Sequence, residues 1–403
     1  MTGACSLSNR ETPLILSWFL QIFNFGINMN ICFVINSLGA GGAQRVVSVL
    51  SHKLSKEHNV TVILTDNKDC VYPLPQNVKC VFLKDYSKGK AKNIGQKLKT
   101  ISFKIKRKFN KNLTPFGYYR EQSLWLQRYF EENPQDVIFG FMIYASIMLS
   151  LIKKNKAKII MAERVYPSLP ICEQDPVEIR NKFYKKGDKI VFQTEEIKDM
   201  FASHIREKGV VIPNPIKEDL PLFEGGEREK IIVNYGSLSK GHKNIPLLFK
   251  AFDMVAEKHS DYILKIYGYG KLNPKAKETL DSLKNKDRIF LLPFESDIHD
   301  KIKNHAMFVM TSDYEGMPNS LIEAMGIGLP VISTDCKGGG AKALIKNHVN
   351  GIITPCEDPK AIAEAMEFYI DNPHKAEEYA KEALKIRDDL SVEKISERWM
   401  SLL

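Results

Sequence analysis

The feature that most constrains this chain is the stretch Asp313 to Pro330, set between two apolar runs. Residues 307–311 and 330–334 carry no charge and read as buried strands. Between them Gly316, Pro318 and Asn319 mark a turn, and Asn319 or Ser320 is placed to cap a helix running to about Met325. A strand, a tight loop and a helix N-terminus gather free N–H groups and the positive end of a helix dipole, which makes an anion site. Two carboxylates frame it, Glu315 in the loop and Glu323 two turns into the helix. Beside a phosphate they would repel it, so they are expected to accept hydrogen bonds from sugar hydroxyls. Phosphate and sugar together suit a nucleotide-sugar. The bland alternative is that Glu323 is a solvated helix residue.

The run E-G-M-P-N-S-L-I-E-A-M, residues 315–325, resembles the E-x7-E signature of family 4 retaining glycosyltransferases. The resemblance extends from Met29 over nearly all of the chain. It implies that Glu315 contacts the donor sugar and Glu323 holds the ribose hydroxyls. It also implies the GT-B fold, two Rossmann-like domains facing across a cleft, with a C-terminal helix crossing back to the first domain.

A chain of 403 residues is long enough for two domains with their own cores, and 44% hydrophobic with 26% charged residues is ordinary for a soluble enzyme. A net charge of +10 calls for an anionic partner. Nucleic acid is disfavoured, because no recognised module is present and aromatics are not interleaved as stacking platforms. The seven cysteines include no C-x-x-C pair and are expected to be buried free thiols in a reducing compartment. No metal site, Asp-x-Asp element or cofactor is expected.

Residues 1–28 contain an apolar leader from Pro13 to Ile27, shorter than the roughly 20 residues that span a bilayer. Either translation starts at Met29 or the leader is an interfacial anchor. The first domain is assigned to residues 29–212 together with 390–403. It opens with a strand at 31–35, then Gly39-Ala-Gly-Gly-Ala-Gln-Arg45 and a helix at 46–54. This loop resembles the family's G-G-A-x-R element, which implies that Gly41 and Gly42 approach the donor. Further strands are expected at 60–64, 79–83, 137–141, 158–162 and 189–192, alternating with helices as in a parallel doubly wound sheet.

Residues 84–112 are rich in Lys and Arg. Ile94, Leu98, Ile101, Ile105 and Phe109 fall on one face of a helix. A basic amphipathic helix is expected to meet an anionic membrane surface. The competing account is a surface helix packing its stripe on the sheet. Residues 136–146 and Met161-Ala-Glu-Arg-Val-Tyr-Pro167 resemble paired elements of a subgroup acting on lipid-linked saccharides. That implies acceptor contacts from Arg164, Glu163 and Tyr144. Met142-Ile143-Tyr144 stands where many relatives have a His, which weakens the case for a general base there.

Val211-Ile-Pro-Asn-Pro-Ile216 resembles the interdomain hinge, and residues 213–389 are assigned to the nucleotide-sugar domain. Its first strand runs into Gly236-Ser-Leu-Ser-Lys-Gly-His-Lys-Asn244, one residue longer than the family loop and with Ser237 in place of Arg. The resemblance makes Lys243 the donor-phosphate lysine and Lys240 its alternate. Gly268, Pro293, Gly316, Asn319, Ser320 and Leu321 complete the expected donor contacts. Gly338-Gly-Gly340 is expected to be a flexible loop.

The expected activity is retaining transfer of a sugar from a nucleotide diphospho-sugar, UDP-linked by preference, to a lipid-linked saccharide in envelope polysaccharide or glycan synthesis. The resemblance implies a cytoplasmic enzyme, peripheral at the inner face of the membrane. Two alternatives come from other classes, a nucleotide-sugar epimerase of the same fold and a non-catalytic membrane-associated scaffold.

Overall fold

The computed structural model describes residues 28–39, 41–66, 70–88, 114–153, 156–167, 176–295 and 297–403. The apolar leader and nearly all of the basic 84–112 stretch, with its expected membrane contact, lie outside the described residues.

Thirteen described strands form two parallel sheets. The first holds β1 (Asn30–Ile35), β2 (Asn59–Leu64), β3 (Lys79–Phe82), β4 (Val137–Phe141), β5 (Lys158–Ala162), β6 (Lys189–Phe192) and β7 (Gly209–Val211), in the order β3-β2-β1-β4-β5-β6-β7. The second holds β8 (Glu229–Ser237), β9 (Ile263–Tyr269), β10 (Ile289–Pro293), β11 (His305–Met310), β12 (Val331–Thr334) and β13 (Ile352–Thr354), ordered β10-β9-β8-β11-β12-β13. After Asn30, every residue of β1 is buried, as expected of a strand covered by helices on both faces. Such strands were readable as unbroken apolar runs. The three-residue β7 and β13 are too short to give that signal.

In each sheet the order reverses at one point, between β1 and β4 in the first and between β8 and β11 in the second. Loops leaving the carboxyl ends of neighbouring strands diverge there and open a crevice. The chain finishes with the Val392–Met400 helix, whose cap Ser391 accepts a bond from the Lys394 N–H at 3.3 Å. This helix lies on the first domain. Trp399 is fully buried, stacks on Phe141 at 5.4 Å and meets Phe139 edge-on at 5.6 Å. Lys53 pairs with Glu393 at 2.6 Å beside it.

Some expectations change. The helix after β1 starts at Gly42, four residues before Val46, because the Arg45 N–H already bonds the Gly41 carbonyl. Residues 373–389 form two helices, Pro373–Ala383 and Ile386–Asp389, and not one. Cys32 and Cys336 are buried thiols, but Cys70 and Cys80 are exposed. The glycine run 338–340 is wedged between the domains. Gly338 has a φ of +95°, its N–H donates to Glu196 at 2.6 Å, and its carbonyl accepts from Thr194 Oγ1 at 2.6 Å.

Candidate functional site

A cavity of about 740 Å³ lies where the two switch points face each other. From the first domain it is lined by the glycine loop with Arg45, by Met142 and by Arg164–Tyr166. The second domain contributes the β8 loop through Lys243 and the β11 loop from Tyr314 to Glu323.

Those two loops of the second domain hold each other. The Asp313 N–H donates to the His242 carbonyl at 2.8 Å, and Thr311 Oγ1 donates to the Lys243 carbonyl at 3.2 Å. Lys243 Nζ is thereby placed 2.5 Å from Glu315 Oε1, which also accepts from Ser312 Oγ at 2.8 Å. Burial would raise the Glu315 pKa, but the Lys243 charge and these bonds hold it below the ordinary carboxylate value. Gly316 follows, and a Cβ there would run into the Gln193 side chain of the first domain. The two domains therefore approach closely at this point, and a larger residue would have to displace the Gln193 side chain.

The Asn319–Gly326 helix starts one residue earlier than a cap at Asn319 would require. Pro318 occupies the cap position and no side chain closes the end. Asn319 is unavailable because its Oδ1 accepts from Asn214 Nδ2 at 2.7 Å. The Leu321 N–H turns back to the Pro318 carbonyl at 3.1 Å, so it is not free for a ligand as expected. Among the described residues, the N–H groups of Asn319 and Ser320 have no acceptor. Two turns on, Glu323 pairs with Arg45 of the first domain, with His299 Nε2 at 3.0 Å and with the Tyr235 hydroxyl at 3.5 Å. Burial opposes its ionisation, but Arg45 and His299 keep its pKa below the usual range.

The hinge residue Asn214 is spent on both domains. It donates to the Met317 carbonyl at 3.1 Å and to Asn319, and it accepts from Arg164 and from Gln193 Nε2 at 3.3 Å. Arg164 also donates to the Ile212 carbonyl at 3.2 Å and lies over the Trp399 ring at 5.7 Å. Burial lowers its pKa to about 9, high enough to keep the charge at neutral pH. Its occupation here is to brace the hinge, although it also lines the cavity.

The cavity gathers Glu315, Lys243, Lys240, Glu323, Gly316, Asn319, Ser320, Gly41, Gly42 and Arg164 from the residues singled out in the sequence. Gly268, Pro293, Leu321, Glu163 and Tyr144 are not among its lining residues. Leu321 is core. Gly268 packs under Leu238, and the neighbouring Tyr269 and Phe294 reach the cavity in place of Gly268 and Pro293. Tyr144 is exposed and stacks on Tyr119 at 5.6 Å. The acceptor role expected of Glu163 is contradicted by its place. It is wholly enclosed, with its carboxylate on Arg180 Nε at 2.7 Å and the Tyr184 hydroxyl at 2.8 Å.

Arg45, His299, Tyr235 and Asn214 were not found from the sequence. Arg45 had a signal as the last residue of the glycine-loop motif, and Asn214 as the residue between the two prolines of the hinge, but neither was read as part of the site. A ring stack crossing the cleft was also missed. His242 lies on Tyr314 at 4.6 Å, and Tyr314 meets Tyr166 of the first domain at 5.2 Å.

Burial, then the nearby Lys243 and Lys240 charges, lower the His242 pKa to about 4, with Glu315 opposing. The unfolded chain therefore binds the extra proton between about pH 6.5 and 4, so His242 costs stability as pH falls through that window. His242→Gln is expected to reduce the loss of stability between pH 6.5 and 4 while leaving the difference from pH 7 to 8 unchanged. Denaturant midpoints of both proteins across that range check it.

Residues 218–386 match the family model of group 1 glycosyl transferases. The matched span contains Lys243, Glu315 and Glu323. Along 93% of this chain and 98% of the relative, the sequence is 23% identical to a Campylobacter jejuni N-acetylgalactosaminyltransferase named for a diNAcBac-PP-undecaprenol-linked acceptor. It is 29% identical over 263 residues to an uncharacterized glycosyltransferase of Methanocaldococcus jannaschii, covering 55% of this chain and 64% of that one. A Haemophilus influenzae relative is matched over 61% of its length, so the chain spans under two thirds of both proteins. Among solved structures, TarM superposes with a TM-score of 0.75 at 15% identity, covering 94% of this chain and 99% of that one. Anabaena HepE in complex with UDP-glucose gives 0.70 at 15% identity, with 93% and 100% covered. The fold is GT-B.

Proposed function

We propose that the protein is a retaining glycosyltransferase of the family 4 type. It takes a sugar from a nucleotide diphospho-sugar, UDP-linked by preference, and passes it to a lipid-linked saccharide. The observation that carries this is one cavity with two part-buried carboxylates whose pKa values are held low, a lysine on one of them, and two helix N-termini converging on it. Neither the Gly42–Leu54 helix nor the Asn319–Gly326 helix has a side-chain cap or an acidic first turn. Both positive ends are therefore left for an anion, and the donor diphosphate suits them.

In this reading the Asn319 and Ser320 N–H groups and Lys243 receive the diphosphate, and Lys240 lies in reach as a second cation. Glu315 orients the sugar and Glu323 accepts from the ribose. The leaving phosphate takes the acceptor's proton in a front-face attack, which retains configuration without a protein nucleophile. No divalent cation or other cofactor is called for. The Campylobacter relative's lipid-linked acceptor supports a membrane-bound acceptor here and a peripheral position at the inner membrane face. No described helix is long and apolar enough to cross a membrane.

An epimerase would need a His in the cleft as part of its acid–base machinery, and His242 is one. With its pKa near 4 it is a poor acid at neutral pH, and its face is covered by Tyr314. Incubation with UDP-sugars alone separates the readings, since an isomerised sugar would support the epimerase.

Glu323→Ala is expected to weaken nucleotide binding by about 1.5–3 kcal/mol, because the ribose hydroxyls lose a charged acceptor. Calorimetry with UDP measures it. An unchanged affinity in a folded variant would remove Glu323 from the donor site.

A further inference from the structure

Arg45 carries more than its contact with Glu323 requires. It sits in the first turn of the Gly42–Leu54 helix, lines the cavity and is only 8% exposed. Its Nη1 donates to Glu323, whereas Nη2 has no partner among the described residues and is enclosed. A guanidinium presents donors on more than one edge, and a buried donor without an acceptor costs free energy. The Nη2 edge is thus left without an acceptor beside the Glu323 contact.

Its surroundings say which kind. A Cβ on Gly42 would lie 3.1 Å from Asn319 Nδ2, so the uncapped starts of the two helices are packed together. Their positive ends face one another with no acidic residue in either first turn. Around the cavity stand Arg45, Arg164, Lys240 and Lys243 against Glu315 and Glu323 alone. The two carboxylates are already paired with Lys243 and Arg45, which leaves an excess of two positive charges. A diphosphate supplies the matching charge, and a phosphate oxygen suits an Arg edge.

We propose that Arg45 serves the donor twice. One edge orients Glu323 for the nucleoside, and the free Nη2 edge is the first domain's cation for the diphosphate. This rests on the donor reading above and goes beyond it by splitting recognition between two parts of one side chain. The second domain's Lys243 cannot fill this place, because it lies on Glu315 at the other end of the 315–323 segment. A lysine at position 45 could satisfy Glu323 or the phosphate with its single ammonium, but not both as a planar fork does.

The test uses the full chain and compares each nucleoside diphosphate with its own nucleoside, for UDP, GDP and ADP. Calorimetry gives the diphosphate affinities and ligand-observed NMR the nucleoside affinities, with a thermal melt as the folding control. For the diphosphate bound most tightly by the unchanged protein, Arg45→Lys is expected to lose at least tenfold in affinity. The matching nucleoside should change by less than threefold. Equal losses for both ligands would overturn the proposal, because Arg45 would then act only through Glu323. No change in either would overturn it too. If Arg45→Lys does not fold, Arg45→Gln is compared in the same way. The diphosphate-to-nucleoside affinity ratio is then expected to fall at least tenfold, and an unchanged ratio would overturn the proposal. Binding of none of the three diphosphates by the unchanged protein would instead sink the donor reading itself, and this proposal with it.

Discussion

Lys243→Ala is expected to lower turnover by about 10²–10³-fold while changing donor affinity far less. In the ground state the ammonium is shared with Glu315 at 2.5 Å, and that contact exists without any substrate. Negative charge on the diphosphate grows as the sugar leaves, so Lys243 stabilises the departing group more than the bound donor. Its position is enforced by the loop bonds from Thr311 and Asp313, which spare the reorganisation that a free lysine would need. The same substitution strips Glu315 of its main positive neighbour, and burial then dominates. The Glu315 pKa rises, so the carboxylate is neutralised at a higher pH and the acid limb of the rate profile should move upward. Steady-state kinetics with a donor panel and a membrane lipid extract, scored for nucleotide release, check both effects. Lys240 is the control, being exposed at the cavity edge. If Lys243→Ala is neutral and Lys240→Ala severe, the lengthened loop presents the other lysine to the phosphate.

What could be read from the sequence follows from where the information lies. β4, β5 and β6 agree with the expected bounds residue for residue, because the buried part of each is an unbroken apolar run, with Lys158 and Lys189 only opening β5 and β6. The segment from Glu315 to Glu323 was legible because the turn, the helix start and both carboxylates are local in sequence. Partners drawn from far away were not. Arg45 and Glu323 are 278 residues apart, and Asn214 and Asn319 are 105 apart. His299 sits in a four-residue helix with no periodic signal. The capping assignment failed for the same reason. Asn319 has the right chemistry for a cap, but the hinge asparagine takes its oxygen, and only the tertiary structure brings that competitor in. Local motifs thus placed the residues, and long-range pairing decided which atoms are free.

Glu163→Ala should destabilise the first domain by about 3–5 kcal/mol, although its motif pointed to the acceptor. The carboxylate sits inside the protein with Arg180 and Tyr184, and Glu163, Arg180 and Tyr184 are all 0% exposed. Replacing such a pair by apolar groups of equal volume is often nearly neutral, but removing one partner leaves a guanidinium that water does not reach. Burial, helped by the neighbouring Glu163 carboxylate, raises the Tyr184 pKa well above its ordinary value, so the phenol stays protonated and donates. Glu163→Ala takes away both acceptor contacts at once. Its effect on the cavity is indirect. Glu163 directly precedes Arg164, which braces Asn214 and the Ile212 carbonyl at the hinge, so a loosened β5 end would reach the interdomain geometry. Glu163→Gln keeps the shape and one oxygen acceptor and should cost less than the alanine. Denaturant unfolding of the two variants measures the order and the size. The opposite pattern, native stability with a raised acceptor KM, would return Glu163 to the acceptor site. A destabilised protein whose remaining folded fraction keeps its donor affinity is the outcome that the buried pair requires.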